Sequence, residues 1–167
     1  MFVDRARVKV QGGRGGNGCV SFRREKYVPK GGPDGGDGGP GGAVIFRAVE
    51  GEQSLVNLRY QPHWQAGNGE HGKGQRRHGA HGSDKVVEVP VGTVLRDAAA
   101  DGALLADLVE PHQECVVAKG GRGGRGNVRF VSSTRRAPRI ATDGEDGEER
   151  EIEAELKTIA DIGLVGY

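Results

Sequence analysis

Gly31-Gly32-Pro33-Asp34-Gly35-Gly36-Asp37-Gly38-Gly39-Pro40-Gly41-Gly42 carries an X-Gly-Gly triplet, and Gly120-Gly121-Arg122-Gly123-Gly124-Arg125-Gly126 carries it again. A period of three fits neither the 3.6-residue α-helix nor the two-residue strand. It is the turn of a polyproline II helix, which has no internal hydrogen bonds and leaves its backbone groups for neighbours. Glycine edges let two such backbones approach closely. The glycines are bunched to match: 26 of the 31 lie in the patches 12–18, 31–42, 67–82, 120–126 and 144–147.

A flexible linker is the competing reading, since ordering a residue costs about 1–2 kcal/mol and glycine loses the most freedom. Gly/Ser linkers carry serine, however, and patches 12–18, 31–42 and 120–126 carry none. Their partners are Arg, Asp, Asn and Pro. A collagen helix is excluded because the triplet runs are short and strand-like sequence interrupts them. The composition favours ordered, mutually packed polyproline II segments over disorder.

The chain has 167 residues, enough for one domain with a real core, but only 5% are aromatic and 35% hydrophobic. Cys19 and Cys115 are too few for a disulfide framework, so a reducing compartment is expected. No charged-then-apolar leader and no membrane-length apolar run occurs. A soluble, cytoplasmic protein is the expectation.

Between the glycine patches the sequence predicts short strands. Ala6, Val8 and Val10 alternate with Arg5, Arg7 and Lys9, a half-buried strand with a charged outer face. Ala43–Phe46, Leu55–Leu58, Val86–Val89, Cys115–Val117 and Val128–Val131 are further strand candidates, as is Cys19–Phe22 after the first glycine patch. Asp101-Gly102 marks a hairpin turn. Ile152, Ala154 and Leu156 alternate with acids in a last strand. No window sustains a helical stripe. The expected fold is all-β, a barrel or sandwich with projecting glycine-rich excursions.

The net charge of +1 hides a segregation. Lys119 to Arg139 contains seven basic residues and no acid, whereas Asp143 to Glu155 contains eight acids and only Arg150 against them. Two more basic clusters flank glycine patches: Arg23, Arg24, Lys26 and Lys30, then Lys73, Arg76 and Arg77. Any one cluster is ordinary solvated surface. Three carried on glycine excursions raise a polyanion partner, read by phosphate and shape because aromatic platforms are scarce.

Several motifs fail on context. Gly13–Gly18 and Gly121–Gly126 both satisfy G-x-G-x-x-G, but a dinucleotide site needs a helix to begin there, and strands are predicted instead. Gly72-Lys73-Gly74-Gln75 lacks the hydroxyl of a P-loop. His63, His71, His78 and His81 sit in an Arg-rich stretch without cysteine ligands, so no metal site is expected. Cys19 reads as a structural thiol. No catalytic constellation is visible.

Gly16–Lys26, Val28–Gly39, Gly69-Glu70-His71-Gly72, Pro90–Val94, Ala118–Asn127, Arg136-Ala137-Pro138 and Gly147-Glu148-Glu149 together resemble the N-terminal domain of the Obg family of GTPases. The likeness runs in order along nearly the whole chain. Departures are local: Pro40 and Arg135 stand where Arg and Asn are common, and Gln75-Arg76-Arg77 is an unusual tip. The resemblance implies an eight-stranded β-barrel carrying a bundle of left-handed glycine-rich helices over residues 1–158. It implies docking on the large ribosomal subunit, against its 23S-type rRNA and ribosomal proteins, with tips reaching toward the peptidyl-transferase region during late subunit maturation and translation control. The RNA-binding residues it implies are Arg23, Arg24, Lys26, Lys30, Lys73, Arg76, Arg77, Arg135, Arg136 and Arg139. Residues 159–167 resemble the first strand of the GTPase domain, broken off inside its P-loop at Gly166. This chain is then a monomeric, non-enzymatic docking domain with no cofactor or metal of its own. GTP and Mg2+ are implied for the whole protein. The other class of reading is a protein-interaction module using the acidic 143–155 stretch.

Overall fold

A computed structural model describes residues 3–24, 27 and 31–157. Among these residues eight strands form: β1 (Arg5–Gln11), β2 (Val44–Val49), β3 (His63–Gln65), β4 (Lys85–Pro90), β5 (Thr93–Asp97), β6 (Ala103–Leu108), β7 (Glu114–Ala118) and β8 (Glu149–Leu156). They make two mixed sheets, ordered β3-β1-β8-β5-β6 and β4-β2-β7. The architecture is therefore all-β with eight strands, as expected, but among the described residues the sheets do not close into a barrel. No ladder joins β6 to β7, whose connection turns through His112 at φ 67°, and β3 is only three residues long. A single apolar core lies between the sheets: Val8, Val10, Leu95 and Ile152 from the larger, Val44, Phe46, Val87 and Val117 from the smaller.

Alternation in the sequence reads directly into this core. Ala6, Val8 and Val10 are buried while Arg5, Arg7 and Lys9 are exposed. The antiparallel register of β1 on β8 sets Arg5 opposite Glu155 and Arg7 opposite Glu153, and both pairs are hydrogen-bonded. These ion pairs are solvent-exposed, a class that contributes little stability. They do neutralise the outer face of the β1 strand.

Three strand predictions are corrected. Leu55–Leu58 enters a short helix, α1 (Val56–Tyr60), because one helical turn puts the fully buried Leu55 and Leu58 on the same face, whereas a strand would set them on opposite faces. Residues 127–130 form a 3-10 turn, not a strand, with Asn127 buried at its start. Cys19–Phe22 makes only an isolated bridge, Phe22 to Pro33, since no sheet edge is available there.

The glycine patches are ordered. Six extended segments pack side by side: I (12–18), II (35–42), III (67–73), IV (77–83), V (119–126) and VI (142–148). Their hydrogen bonds recur every three residues. Gly13, Gly16 and Cys19 N–H groups donate to the carbonyls of Gly42, Gly39 and Gly36, while those of Gly12, Gly15 and Gly18 donate to Glu148, Glu145 and Thr142. Gly126, at φ −71° and ψ 163°, sits in the polyproline II region. One detail differs from the plain triplet reading. Pro33 is an extra residue that breaks the register, so the ordered run of segment II starts after it; Gly32 has open space around it.

Backbone N–H groups facing away from a glycine contact are met by side chains from the next segment. Arg14 N–H donates to Asn68 Oδ1 at 2.9 Å, and one triplet later Asn17 N–H donates to His71 Nδ1 at 2.8 Å. Asp37 N–H likewise donates to His78 Nδ1. Two of the histidines thus serve as bundle acceptors. His71→Ala should lower stability by about 1 kcal/mol, the net worth of one such bond. His71→Asn should retain it, because Asn68 already does the same job in the same pair of segments. Thermal melts of the two variants measure the difference, and equal melting points would contradict the acceptor role.

Candidate nucleic-acid interface

Topology decides where the basic residues go. Segments I–II join β1 to β2, III–IV join β3 to β4, and V–VI join β7 to β8. Each hairpin crosses from one sheet to the other. All three leave from one end of the β region, because segment I runs parallel to both III and V: Gly69 N–H donates to Arg14 O, and Gly121 N–H donates to Gly13 O. The three turns, 19–34, 74–76 and 127–141, consequently meet at the far end of the bundle.

Asn127 ties them together. It is fully buried, accepts from Gly35 N–H at 2.9 Å through Oδ1, and donates through Nδ2 to the carbonyls of Ser21 and Pro138 at 3.0 Å. One side chain thus bonds the outgoing and returning arms of the first turn to the third. Asp34 performs the same service for the second: its backbone carbonyl accepts from Arg76 N–H at 2.6 Å and its carboxylate from Gln75 N–H at 3.1 Å. Gln75 and Arg76 have φ of 61° and 56°, a left-handed turn that costs side-chain-bearing residues about 1–2 kcal/mol each. Below the tips, Arg129 clamps Asp37 through a 2.7 Å ion pair, and Gly126 N–H donates to the same carboxylate. Burial opposes ionisation of Asp37, yet the hydrogen bonds from Arg129 and Gly126 outweigh it and hold the carboxyl below its ordinary range. The Arg129 guanidinium is raised correspondingly, by its bond to Asp37.

Arg23, Arg24, Arg77 and Arg139 line one open cleft of about 580 Å³ between the tips. Arg139 lies over the Phe22 ring, 5.4 Å from its centroid, and Arg77 Nε donates to Gly74 O. Arg76 is exposed on the turn that Asp34 holds, and Lys73 closes the base of that hairpin through its N–H bond to Arg77 O. Arg135 and Arg136 are exposed on the same connection as Arg139, but among the described residues their side chains make no hydrogen bond or ion pair. Lys26 and Lys30 lie outside the described residues, as does the 159–167 strand.

Sequence reasoning missed Asn127, Asp34 and Phe22 as organising residues. Asn127 directly follows one glycine run and Asp34 directly precedes another, a break in register that is the one local signal available; Phe22, four residues past Gly18, carries none. The acidic stretch divides between the bundle and the strand. Asp146 meets Arg14, Glu148 meets Arg150, and Glu151, Glu153 and Glu155 meet Arg7 and Arg5. Among the described residues no helix is long and apolar enough to cross a membrane.

Comparison with known proteins places this architecture. The GTP1/OBG family model matches residues 3–158. A GTPase Obg of Desulfitobacterium hafniense is 59% identical over 167 residues, all of this chain and 39% of the relative. A GTPase Obg of Syntrophobacter fumaroxidans is 62% identical over 165 residues, 99% of this chain and 47% of the relative. That of Chlorobium phaeobacteroides is 58% identical over 166 residues, 99% of this chain and 51% of the relative. This chain spans about half or less of the length of these relatives. It belongs to the GTP1/OBG family.

Proposed function

We propose that this chain is an RNA-docking domain that carries its host protein onto the large ribosomal subunit, with the bundle tips as the contact surface. The GTP chemistry for which the relatives are named belongs, in this reading, to sequence outside residues 3–158. The observation that carries the proposal is the convergence of Arg23, Arg24, Arg77 and Arg139 on one cleft at the end of a stiff bundle. A rigid rod about seven triplet-bonded residues long, ending in cations, suits insertion into a narrow anionic cavity such as the peptidyl-transferase region. Lys73, Arg76, Arg135 and Arg136 belong to the same contact surface in this reading, and the sequence adds Lys26 and Lys30 as RNA-binding candidates. A role in late subunit maturation, a cytoplasmic location and a monomeric state go with the same reading, as do GTP and Mg2+ for the whole protein.

Binding of this kind is driven by counterion release and falls with salt. Replacing Arg76, Arg77, Arg135 and Arg136 with Ala should lower affinity for purified large subunits at least about tenfold and flatten the log–log salt slope by up to about 3.6, since each lost phosphate contact removes roughly 0.7–0.9. Replacing Arg5, Arg7 and Lys9 should matter far less, because Arg5 and Arg7 are paired with the acids of β8. Sedimentation with separated subunits at several salt concentrations measures both. Equal losses in the two variants would mean that overall charge sets the affinity, and the tip-docking reading would be abandoned.

A further inference from the structure

The cleft between the tips has features that a merely basic surface does not need. Its volume, about 580 Å³, lies within the roughly 300–1,000 Å³ range of small-ligand sites. Asp34 lines it and is only 8% exposed, yet its Oδ1 has no hydrogen-bond partner among the described residues, while Oδ2 accepts from Gln75 N–H. An unmatched buried carboxylate oxygen is costly, and an incoming N–H donor relieves it.

Gly74 supplies the second observation. Bundle glycines such as Gly36 and Gly123 face backbone carbonyls, so their missing Cβ is required by packing. Gly74 instead faces side chains: a Cβ there would meet Ser21 Oγ at 2.7 Å and lie 3.9 Å from Asp34 Oδ1. With no methyl group at this position the Ser21 hydroxyl stays undisplaced, close to the Asp34 carboxylate.

The third observation is a flat cationic surface. The Arg139 guanidinium lies over Phe22, and a guanidinium plane is a platform on which an unstacked base can rest. Arginines able to meet a phosphate, a guanidinium plane and adjacent acceptors together suit a nucleotide whose base presents N–H groups. Guanine presents two side by side, N1–H and the N2 amino group.

We propose that this cleft seats one unstacked guanine nucleotide of single-stranded RNA, with its phosphate against Arg24 and Arg77 and its N–H edge against Asp34 and Ser21. The proposal rests on the RNA-docking reading and adds base selectivity to it.

The test is fluorescence anisotropy of the chain with the labelled pentanucleotides UUGUU, UUUUU and UUIUU, where I is inosine, which lacks the N2 amino group. UUGUU should bind about tenfold more tightly than UUUUU, the discrimination expected of one paired base edge, with UUIUU between them. Gly74→Ala and Asp34→Asn should each erase the difference while leaving the salt-sensitive binding of UUUUU in place. Asp34→Asn serves if Gly74→Ala melts early. Equal affinity for UUGUU and UUUUU, or a difference that survives both variants, overturns the pocket. Large-subunit sedimentation then still judges the docking reading by itself. Absence of binding by every oligonucleotide also overturns the pocket. Free guanosine monophosphate should compete only weakly; competition as strong as that of UUGUU would replace a strand-borne guanine with a free nucleotide as the occupant.

Discussion

Gly123→Ala should lower the melting midpoint by about 6–12 °C, whereas Gly32→Ala should leave it unchanged. A Cβ at Gly123 would fall inside the contact distance of the Gly38 carbonyl oxygen, on a neighbouring segment. That carbonyl cannot simply move aside, because Gly38 N–H donates to Gly124 O on the same segment as Gly123. Overpacking against fixed backbone sits at the upper end of the usual 1–3 kcal/mol, so about 3 kcal/mol is expected. In a domain of this size each kcal/mol shifts the midpoint by about 2–4 °C. Gly32 belongs to the glycine-rich patch that contains Gly38 but has nothing within 4 Å of its would-be Cβ. The pair therefore separates close packing from composition. Identical melting curves would mean that the segments are not packed in this way.

Asn127→Ala should cost about 2–4 kcal/mol, because each buried polar group stripped of its partner costs about 1–3 kcal/mol. The substitution would strand Gly35 N–H and the Pro138 carbonyl together, while the Ser21 carbonyl keeps its bond from Asp34 N–H. It would also remove the side-chain tie between the first and third turns, leaving backbone bonds such as Asn127 N–H to Cys19 O to hold them. The expected result has two parts: a lower denaturation midpoint, and faster amide exchange at Gly35 than at the sheet residues Val8 and Ile152. Loss of stability without selective exchange at the tip would place the role of Asn127 elsewhere. Asn127→Asp should not rescue the bundle, since a carboxylate cannot donate to the Ser21 and Pro138 carbonyls.

Both predictions concern residues of very different legibility. The triplet register of Asp34–Gly42 and Gly120–Gly126 could be read from sequence because a period of three belongs to one backbone conformation. The β1 and β8 strands were equally legible, since strict alternation leaves one buried face. Leu55–Leu58 was not. Four residues with two leucines fit a strand or a helical turn, and only the position of the core beneath Leu55 and Leu58 selects the helix. Val128–Val131 misled for a related reason: its apolar pattern is strand-like, but the side-chain bonds of Asn127 fix the backbone in a tight turn away from any sheet edge.

The candidate site divides along the same line. Its basic residues could be picked out as three clusters beside glycine patches, because charge and glycine are both local properties. Their meeting on one cleft could not, because Arg24, Arg77 and Arg139 are dozens of residues apart. That meeting follows from each glycine hairpin crossing between the two sheets at the same end.

Sequence by itself determined the polyproline II conformation, the core-facing alternation of β1 and β8, and the identity of the cations. Each of these depends on spacing between near neighbours, and short-range sterics and burial read spacing directly. Tertiary structure alone decided that the two sheets stay unclosed, that His71 and His78 accept backbone hydrogen bonds, and that Asp34 and Asn127 lock the three tips together. Those outcomes depend on which backbone groups remain unpaired once distant segments have packed, a condition that no local pattern records.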